Sequence, residues 1–128
     1  MLKSPALIKE ATLLKPIELA RSLVDVLEDK KAEDIVLLDV QGLSSFTDYF
    51  VICTGTSERH LDALAEAAAE TGRKKHRLKS PRVEGRTASG WVLIDFRDVI
   101  IHAFSLEQRR RFKLEELWHE AKIVLRIQ

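Results

Sequence analysis

The sequence predicts a single α/β domain with a mixed sheet of about five strands flanked by helices. Runs that are apolar on both faces, such as 35–38 and 49–54, are typical of strands that helices cover. They alternate with segments whose apolar residues recur every three or four positions, which is the pattern of amphipathic helices. The chain has 128 residues, 45% of them hydrophobic, enough for one core and too few for two.

The first half of the chain predicts a helix, two strands and a second helix. Residues 1–14 predict a flexible leader, and the folded domain is expected over 15–128. Pro16 suits the first turn of a helix that continues to about Lys30. The second strand ends in a turn whose hydroxyl side chains can cap the next helix. That helix should end near Gly72, because glycine is favoured directly after helices.

The second half of the chain predicts three strands and a final helix. A strand can begin at 83–84, and the runs 91–95 and 99–104 predict an antiparallel hairpin because only a tight turn separates them. A short helical turn is predicted at 106–110. The last predicted helix covers 113–123, with an inner face made of Leu114, Leu117, Trp118 and Ala121.

The net charge of +1 hides a strong asymmetry along the chain. Residues 1–64 carry 7 basic and 11 acidic side chains, whereas residues 65–128 carry 14 and 9. No acid occurs between Glu70 and Glu84, and this stretch holds Arg73, Lys74, Lys75, Arg77, Lys79 and Arg82. Such patches attract phosphate backbones, so the first four are candidates for a peripheral contact with RNA. A solvated basic loop after a helix is the alternative.

Several sequence features that would indicate other functions are missing. No apolar run is long enough to cross a membrane and no signal-peptide core is present, so we expect a cytoplasmic protein. The single cysteine, Cys53, cannot form an internal disulfide and is expected to be buried. No dinucleotide motif, P-loop or pair of histidines at metal-ligand spacing occurs. We therefore predict no catalytic residue, no metal and no cofactor.

One weaker pattern would suit an enzyme. The turn 55–57 joins a strand to a helix N-terminus, a geometry that favours phosphates, and Asp95 could supply a carboxylate. Asp95 lies beside a hairpin turn, however, where aspartate is common because it hydrogen-bonds local backbone. His102 lies within a predicted strand and is expected to be a half-buried hydrogen-bonding residue. Nucleotide binding or nucleotidyl transfer is kept as the alternative function.

Five stretches of the sequence, in order over about eighty residues, match a known pattern. They are DVQGLSSFTDYFVICTGTS at 39–57, Glu84-Gly85, GWVLIDF at 90–96, DVIIHAF at 98–104, and Glu107 and Arg109 followed by LEELW at 114–118. Together they resemble the ribosomal silencing factor RsfS family, also called Iojap-like proteins, across roughly residues 15–122. Two positions depart from the pattern: Leu106 stands where proline is common, and Arg111-Phe112 replaces an aromatic pair.

The resemblance implies a nucleotidyltransferase-like fold without a demonstrated transferase site, and so a protein that is not an enzyme. Members of the family bind the large ribosomal subunit through its ribosomal protein fourteen, on the face that meets the small subunit. They thereby block subunit joining and lower translation when nutrients are short. Dimers are common in the family, so the free protein is expected to be a homodimer.

The residues that match the family pattern are the expected partner-binding residues. Trp91 is the expected anchor, since an exposed aromatic side chain on a hairpin can be a binding hot spot, and a place in the core is its alternative. The others are Asp48, Tyr49, Glu84, Leu93, Asp95, His102, Glu107 and Arg109. A third interpretation, a nucleic-acid chaperone that uses only the basic half, predicts that free RNA competes fully for the ribosomal site.

Overall fold

The computed structural model describes residues 15–128, and the leader predicted for 1–14 lies outside them. The elements are α1 (Pro16–Asp29), β1 (Glu33–Asp39), β2 (Tyr49–Gly55), α2 (Glu58–His76), β3 (Arg82–Arg86), a 3-10 turn (Thr87–Ser89), β4 (Trp91–Asp95), β5 (Val99–Ser105), α3 (Leu106–Phe112), α4 (Leu114–Leu117) and β6 (Lys122–Ile127). The sheet order is β3-β4-β5-β2-β1-β6, with β2 and β5 parallel and all other neighbours antiparallel. The predicted α/β fold with a mixed sheet is confirmed.

The two long helices cover one face of this sheet. Their buried apolar residues recur on one side of each helix and include Leu19, Ala20, Leu23, Val24, Leu27, Leu61, Leu64 and Ala68. Alternate strand residues such as Ile35, Val51 and Ile101 meet them in the larger core cluster. Burying each leucine, isoleucine or valine of this cluster stabilises the fold by about 1.5–3 kcal/mol, so this face is a main source of stability. Among the described residues, no helix is long and apolar enough to span a membrane.

The second long helix does not end near Gly72, as the sequence predicts, but continues to His76. The helix ends instead at Arg77, which takes the left-handed conformation with φ 53°. Gly72 serves close packing, because a Cβ added there would lie 2.6 Å from the ring of Phe96. The glycine therefore allows the helix to approach the β4–β5 turn and does not terminate the helix.

The hairpin predicted for 91–95 and 99–104 is confirmed, with Asp95 opposite Ile100 and Trp91 opposite Phe104. A second hairpin joins β3 to β4. Gly85 in β3 has φ +86°, and a Cβ on it would lie 2.3 Å from the carbonyl oxygen of Trp91. Only glycine allows the two strands to approach this closely.

The predicted final helix over 113–123 is wrong. Helix α4 covers only Leu114–Leu117, and the chain then forms the edge strand β6 beside β1. The β-branched pair Ile123 and Val124 favours a strand, and pairing with β1 satisfies backbone groups that a short isolated helix would leave to solvent. Leu114 is buried, as predicted, but Leu117 is 74% exposed and does not belong to an inner face. The sheet consequently has six strands.

Candidate binding surface

The sheet face opposite α1 and α2 is only partly covered. Helices α3 and α4 lie over its centre, while β3 is exposed along its whole length. In β4 the burial alternates, because Val92 and Ile94 are buried under the helices while Trp91, Leu93 and Asp95 on the other face are half-buried. This alternation identifies a region of the sheet that the other elements of the described chain cover only in part.

Strand register brings five of the nine predicted partner-binding residues onto this uncovered region. Glu84 in β3 pairs with Leu93 in β4, which pairs with His102 in β5. Side chains opposite one another in neighbouring strands share a face, so these three form a row across the sheet. Trp91 and Asp95 lie two residues either side of Leu93, on the same face. We call this set the open face: Glu84, Trp91, Leu93, Asp95 and His102.

Trp91 is held in place by an aromatic cluster. Its indole Nε1 donates a hydrogen bond to Nδ1 of His102 at 3.3 Å. Its ring centroid is 4.6 Å from that of Phe112 and 4.9 Å from that of Phe104. The side chain is therefore neither fully exposed nor part of the core. A fixed, half-buried indole loses little conformational entropy when a partner covers its remaining surface.

His102 is the buried member of the open face, with 6% of its surface exposed. Burial lowers the pKa of His102 to about 4, so its ring is neutral at physiological pH. Since Nδ1 accepts the bond from Trp91, the neutral ring carries its proton on Nε2, which is buried without a hydrogen-bond partner. The ring of Phe50 packs against it at right angles, 4.9 Å between centroids. The predicted hydrogen-bonding role fits this geometry.

The lowered pKa of His102 predicts acid destabilisation. Below pH 6.5 the unfolded chain protonates this histidine, whereas the folded chain does so only near pH 4. The free energy of unfolding should therefore lose about 2 kcal/mol through this group between pH 6.5 and 4.5. Urea unfolding at pH 6.5 and pH 4.5 should show that the free energy of unfolding falls less in His102→Gln than in the unsubstituted protein. The exposed His119 is the control, and an equal pH dependence in His102→Gln and His119→Gln would contradict the assignment.

Asp48, Tyr49 and Glu107 lie outside the open face. Tyr49 belongs to the helix-covered core, where its hydroxyl accepts a bond from Gln41 Nε2 at 2.9 Å. Burial, followed by the nearby Asp39 and Asp48 carboxylates, raises the pKa of Tyr49. Asp48 is half-buried just before β2, and Glu107 is exposed on α3 near the opposite end of the sheet. These three residues are therefore not brought together with Trp91.

Arg109 is buried, with 7% of its side chain exposed. Its guanidinium lies 3.4 Å from the carboxylate of Asp34 and 3.2 Å from that of Glu115. It also donates to Thr54 Oγ1 at 2.9 Å and to the backbone carbonyl of Asp34. Arg109 thus joins α3 to β1, β2 and α4. In this structure the side chain stabilises the fold and is not available to a partner.

The predicted RNA-contact residues do not form a loop. Arg73, Lys74 and Lys75 occupy the last turn of α2, and Arg77 ends that helix. We call these four the helix-end patch. Lys74 Nζ binds the Glu70 carboxylate at 2.9 Å, and this hydrogen bond lowers the pKa of Glu70. Because α2 covers the other side of the sheet, the patch belongs to the helix layer and not to the open face.

The residues of the alternative enzyme site are far apart. Gly55 pairs with Ser105 at one end of β5 and Asp95 pairs with Ile100 near the other, about 17 Å away at the usual rise of a strand. Backbone N–H groups that a phosphate would need already have partners within the chain. Thr56 N–H donates to His60 Nδ1 at 2.9 Å, and His60 N–H, in the first turn of α2, donates to Ser57 Oγ at 3.0 Å. Within residues 15–128 no group of acidic, histidine or cysteine side chains could hold a metal.

Cys53 is fully buried in β2, as the sequence predicts. Burial raises the pKa of its thiol to about 12, so the reactive thiolate is absent at physiological pH. The residue behaves as a small apolar side chain of the helix-covered core.

The two departures from the family pattern have local explanations. Leu106 is the first residue of α3, directly after the cap Ser105, whose hydroxyl accepts from Gln108 N–H at 3.2 Å. Proline suits this position because the amide there has no helical partner, so leucine changes little. Phe112 packs on Trp91, and the guanidinium of Arg111 lies 5.9 Å from the Phe112 ring centre. The added charge therefore sits over an aromatic ring beside the open face.

Sequence reasoning misses an apolar extension of the open face. Phe46 is 62% exposed and its ring lies 6.3 Å from that of Phe50, which in turn contacts His102. Trp118 packs edge-on against the other side of this group, 5.0 Å from Phe50. The signal available in the sequence is a phenylalanine within the polar loop over 41–47. An exposed aromatic residue in such a loop indicates a contact surface.

Comparisons with known proteins agree with this fold. The model of the family described as ribosomal silencing factor during starvation, RsfS, matches residues 14–128. Ribosomal silencing factor RsfS of Halalkalibacterium halodurans is 37% identical over 107 residues, 84% of this chain and 91% of that protein. The Mus musculus protein named Mitochondrial assembly of ribosomal large subunit protein 1 is 36% identical over 98 residues, 75% of this chain and 43% of its own length.

Solved structures show the same relationship. A crystal structure of a Chromobacterium violaceum protein is similar with a TM-score of 0.77 and 30% sequence identity, over 83% of this chain and 88% of that one. The likeness therefore extends over most of the chain, in sequence and in structure. With the family match over 14–128 and a relative 37% identical over 91% of its own length, the chain belongs to the ribosomal silencing factor family RsfS.

Proposed function

We propose that this protein binds the large ribosomal subunit through ribosomal protein fourteen of that subunit and blocks joining with the small subunit. The observation that supports this most directly is the open face, a half-buried aromatic and aliphatic centre on the uncovered side of the sheet. The names of its relatives, ribosomal silencing factor and large-subunit assembly protein, favour a ribosomal partner over a small-molecule substrate. The protein acts in the cytoplasm and represses translation when nutrients are limited.

The composition of the open face suits a protein partner. Trp91 and Leu93 form an apolar centre, and the carboxylates of Glu84 and Asp95 lie around it. Specific interfaces commonly have such a centre with a polar rim and bury about 800 Å² on each partner. The exposed ring of Phe46 extends the apolar area toward that size.

Repression would be steric. A compact domain of this length is about 35 Å across, which is wide compared with the separation of two subunits in contact. A domain bound on the subunit-joining face therefore holds the small subunit away without any chemical step. This mechanism needs only an affinity high enough to occupy the large subunit.

A subunit-joining assay tests this function. Purified large subunits incubated with an excess of the protein should join small subunits less than half as well as untreated ones, because each occupied subunit is sterically blocked. Sucrose-gradient sedimentation measures the joined fraction, and the same gradients show whether the protein travels with the large subunit. Undiminished joining by subunits that carry the protein would contradict the steric mechanism. Absence of the protein from the large-subunit fractions would contradict the proposed binding.

The free protein is proposed to be a homodimer. Both edge strands of the sheet, β3 and β6, have one side without a strand partner in the described chain. Unpaired edges favour association with a second strand. A dimer formed through β3 would border the open face and compete with ribosome binding, whereas a dimer formed through β6 would not.

The proposed partner is a ribonucleoprotein particle, so a peripheral contact with rRNA is part of the proposal. The described chain offers two basic surfaces for it. One is the helix-end patch, and the other is a groove beside the open face.

A further inference from the structure

A basic groove lies between the segment that follows α2 and the turn that joins β4 to β5. Its volume is about 600 Å³, and its charged lining residues are Lys79, Arg82, Asp95 and Arg97. Pro81 and Phe96 form its apolar walls. The two segments that form this site are separated in the sequence by the β3–β4 hairpin, so the site is not evident from the sequence. We call it the basic groove.

The cations of the basic groove are mostly unpaired. Among the described residues, neither Lys79 nor Arg97 has a carboxylate within 4.0 Å, while Arg82 is 3.0 Å from the Glu84 carboxylate. Asp95 accepts the backbone N–H of Arg97 at 2.7 Å, so part of its hydrogen-bonding capacity is used in the turn. Three positive charges against one negative charge leave the groove net positive and attractive to anions.

The basic groove borders the open face directly. Asp95 belongs to both, and Arg82 pairs with Asp95 across β3 and β4 on the open side of the sheet. The groove also reaches the helix layer, because Leu78 and Phe96 in its lining pack against the helix-covered core. The helix-end patch lies within that layer and shares no residue with the open face. A ligand that covers Trp91 and Leu93 therefore extends naturally toward the basic groove.

We propose that the basic groove binds the sugar-phosphate backbone of RNA that adjoins the protein bound at the open face. This inference rests on the proposed function, since it assigns the RNA part of the same ribonucleoprotein partner. Lys79 and Arg97 neutralise backbone phosphates as charged donors. Phe96, the aromatic residue that lines the groove, is half-buried and packs against the helix-covered core, so the groove recognises the backbone and not the base sequence.

The salt dependence of binding tests this assignment with matched variants. Lys79→Gln/Arg97→Gln removes two charges from the basic groove, and Arg73→Gln/Lys75→Gln removes two from the helix-end patch. Removing one cation that neutralises a phosphate lowers the slope of log affinity against log salt concentration by about 0.7–0.9. We expect the groove variant to bind purified large subunits with a slope reduced by about 1.5 and the helix-end variant to keep the original slope. Circular dichroism and urea unfolding establish that both variants remain folded.

Binding to isolated ribosomal protein fourteen separates this inference from the proposed function. The groove variant should bind that protein unchanged, because no RNA is present. An equal loss of affinity for isolated protein and whole subunit would identify an acidic protein segment as the occupant and overturn the RNA assignment. A reduced slope in the helix-end variant alone would also overturn it. If the unsubstituted protein binds neither the subunit nor ribosomal protein fourteen, the proposed function itself fails.

Discussion

Trp91→Ala is expected to weaken binding to the large subunit by at least about 30-fold, which corresponds to about 2 kcal/mol. The indole is already fixed by its hydrogen bond to His102 and by packing on Phe104 and Phe112. A partner therefore gains a large apolar contact without ordering a flexible side chain, which is the usual property of a tryptophan hot spot. Co-sedimentation with purified large subunits over a range of protein concentrations measures the change.

A matched control for this variant is Val83→Ala. Val83 is exposed and close to Trp91 in the hairpin, but it pairs with Ile94 and so lies on the side of the sheet that α2 covers. The Val83→Ala protein should bind the large subunit as tightly as the unsubstituted protein does. Unchanged co-sedimentation of a folded Trp91→Ala protein would remove the open face as the binding surface, and Leu93→Ala would test the same surface with a smaller change to the aromatic cluster.

Arg109→Met is expected to lower the free energy of unfolding by about 2–4 kcal/mol. The substitution removes the cation beside Glu115 and the bond to Thr54, while Asp34 keeps its pair with Arg126 at 3.1 Å. Removing one member of a buried ion pair is strongly destabilising, and partial exposure of the two carboxylates moderates the loss here. Urea unfolding monitored by circular dichroism measures it.

The neighbouring exposed Arg110 supplies the control for this prediction. Arg110→Met should change the free energy of unfolding by less than about 0.5 kcal/mol, as surface substitutions usually do. The family pattern places Arg109 among the expected contacts, so binding must be measured as well. A stable Arg109→Met protein with impaired ribosome binding would show that the guanidinium reaches the partner and that its burial is not its role.

Local signals predict most of the elements but not the last one. The apolar spacing after Pro16 predicts α1, and the runs that become β2, β4 and β5 are apolar enough to be read directly. Residues 113–123 contain leucines at helical spacing and so predict a long helix, of which only Leu114–Leu117 forms. Strand β6 forms because the edge of β1 is free to pair with it, and no local pattern contains that information.

Gly72 illustrates the same limit at one residue. Glycine near the end of a helical pattern indicates a C-cap, yet here it lies inside the helix and admits the ring of Phe96. The packing partner is distant in the sequence, so composition near Gly72 cannot distinguish the two uses. The consequence for function is that Arg73, Lys74 and Lys75 belong to a helix and not to the solvated basic loop that the sequence suggests.

By itself the sequence determined the fold class, the core stripes, the family and the residues that match its pattern, because these depend on local periodicity and on residue identity. Only the tertiary structure decided which of those residues can act together. Strand register places Glu84, Leu93 and His102 in one row and Tyr49 on the opposite, helix-covered face, while the packing of α3 on the sheet buries Arg109 among ion pairs. The physical reason is that a binding surface is made by side chains on one face of neighbouring strands, and their pairing is a long-range property of the sheet.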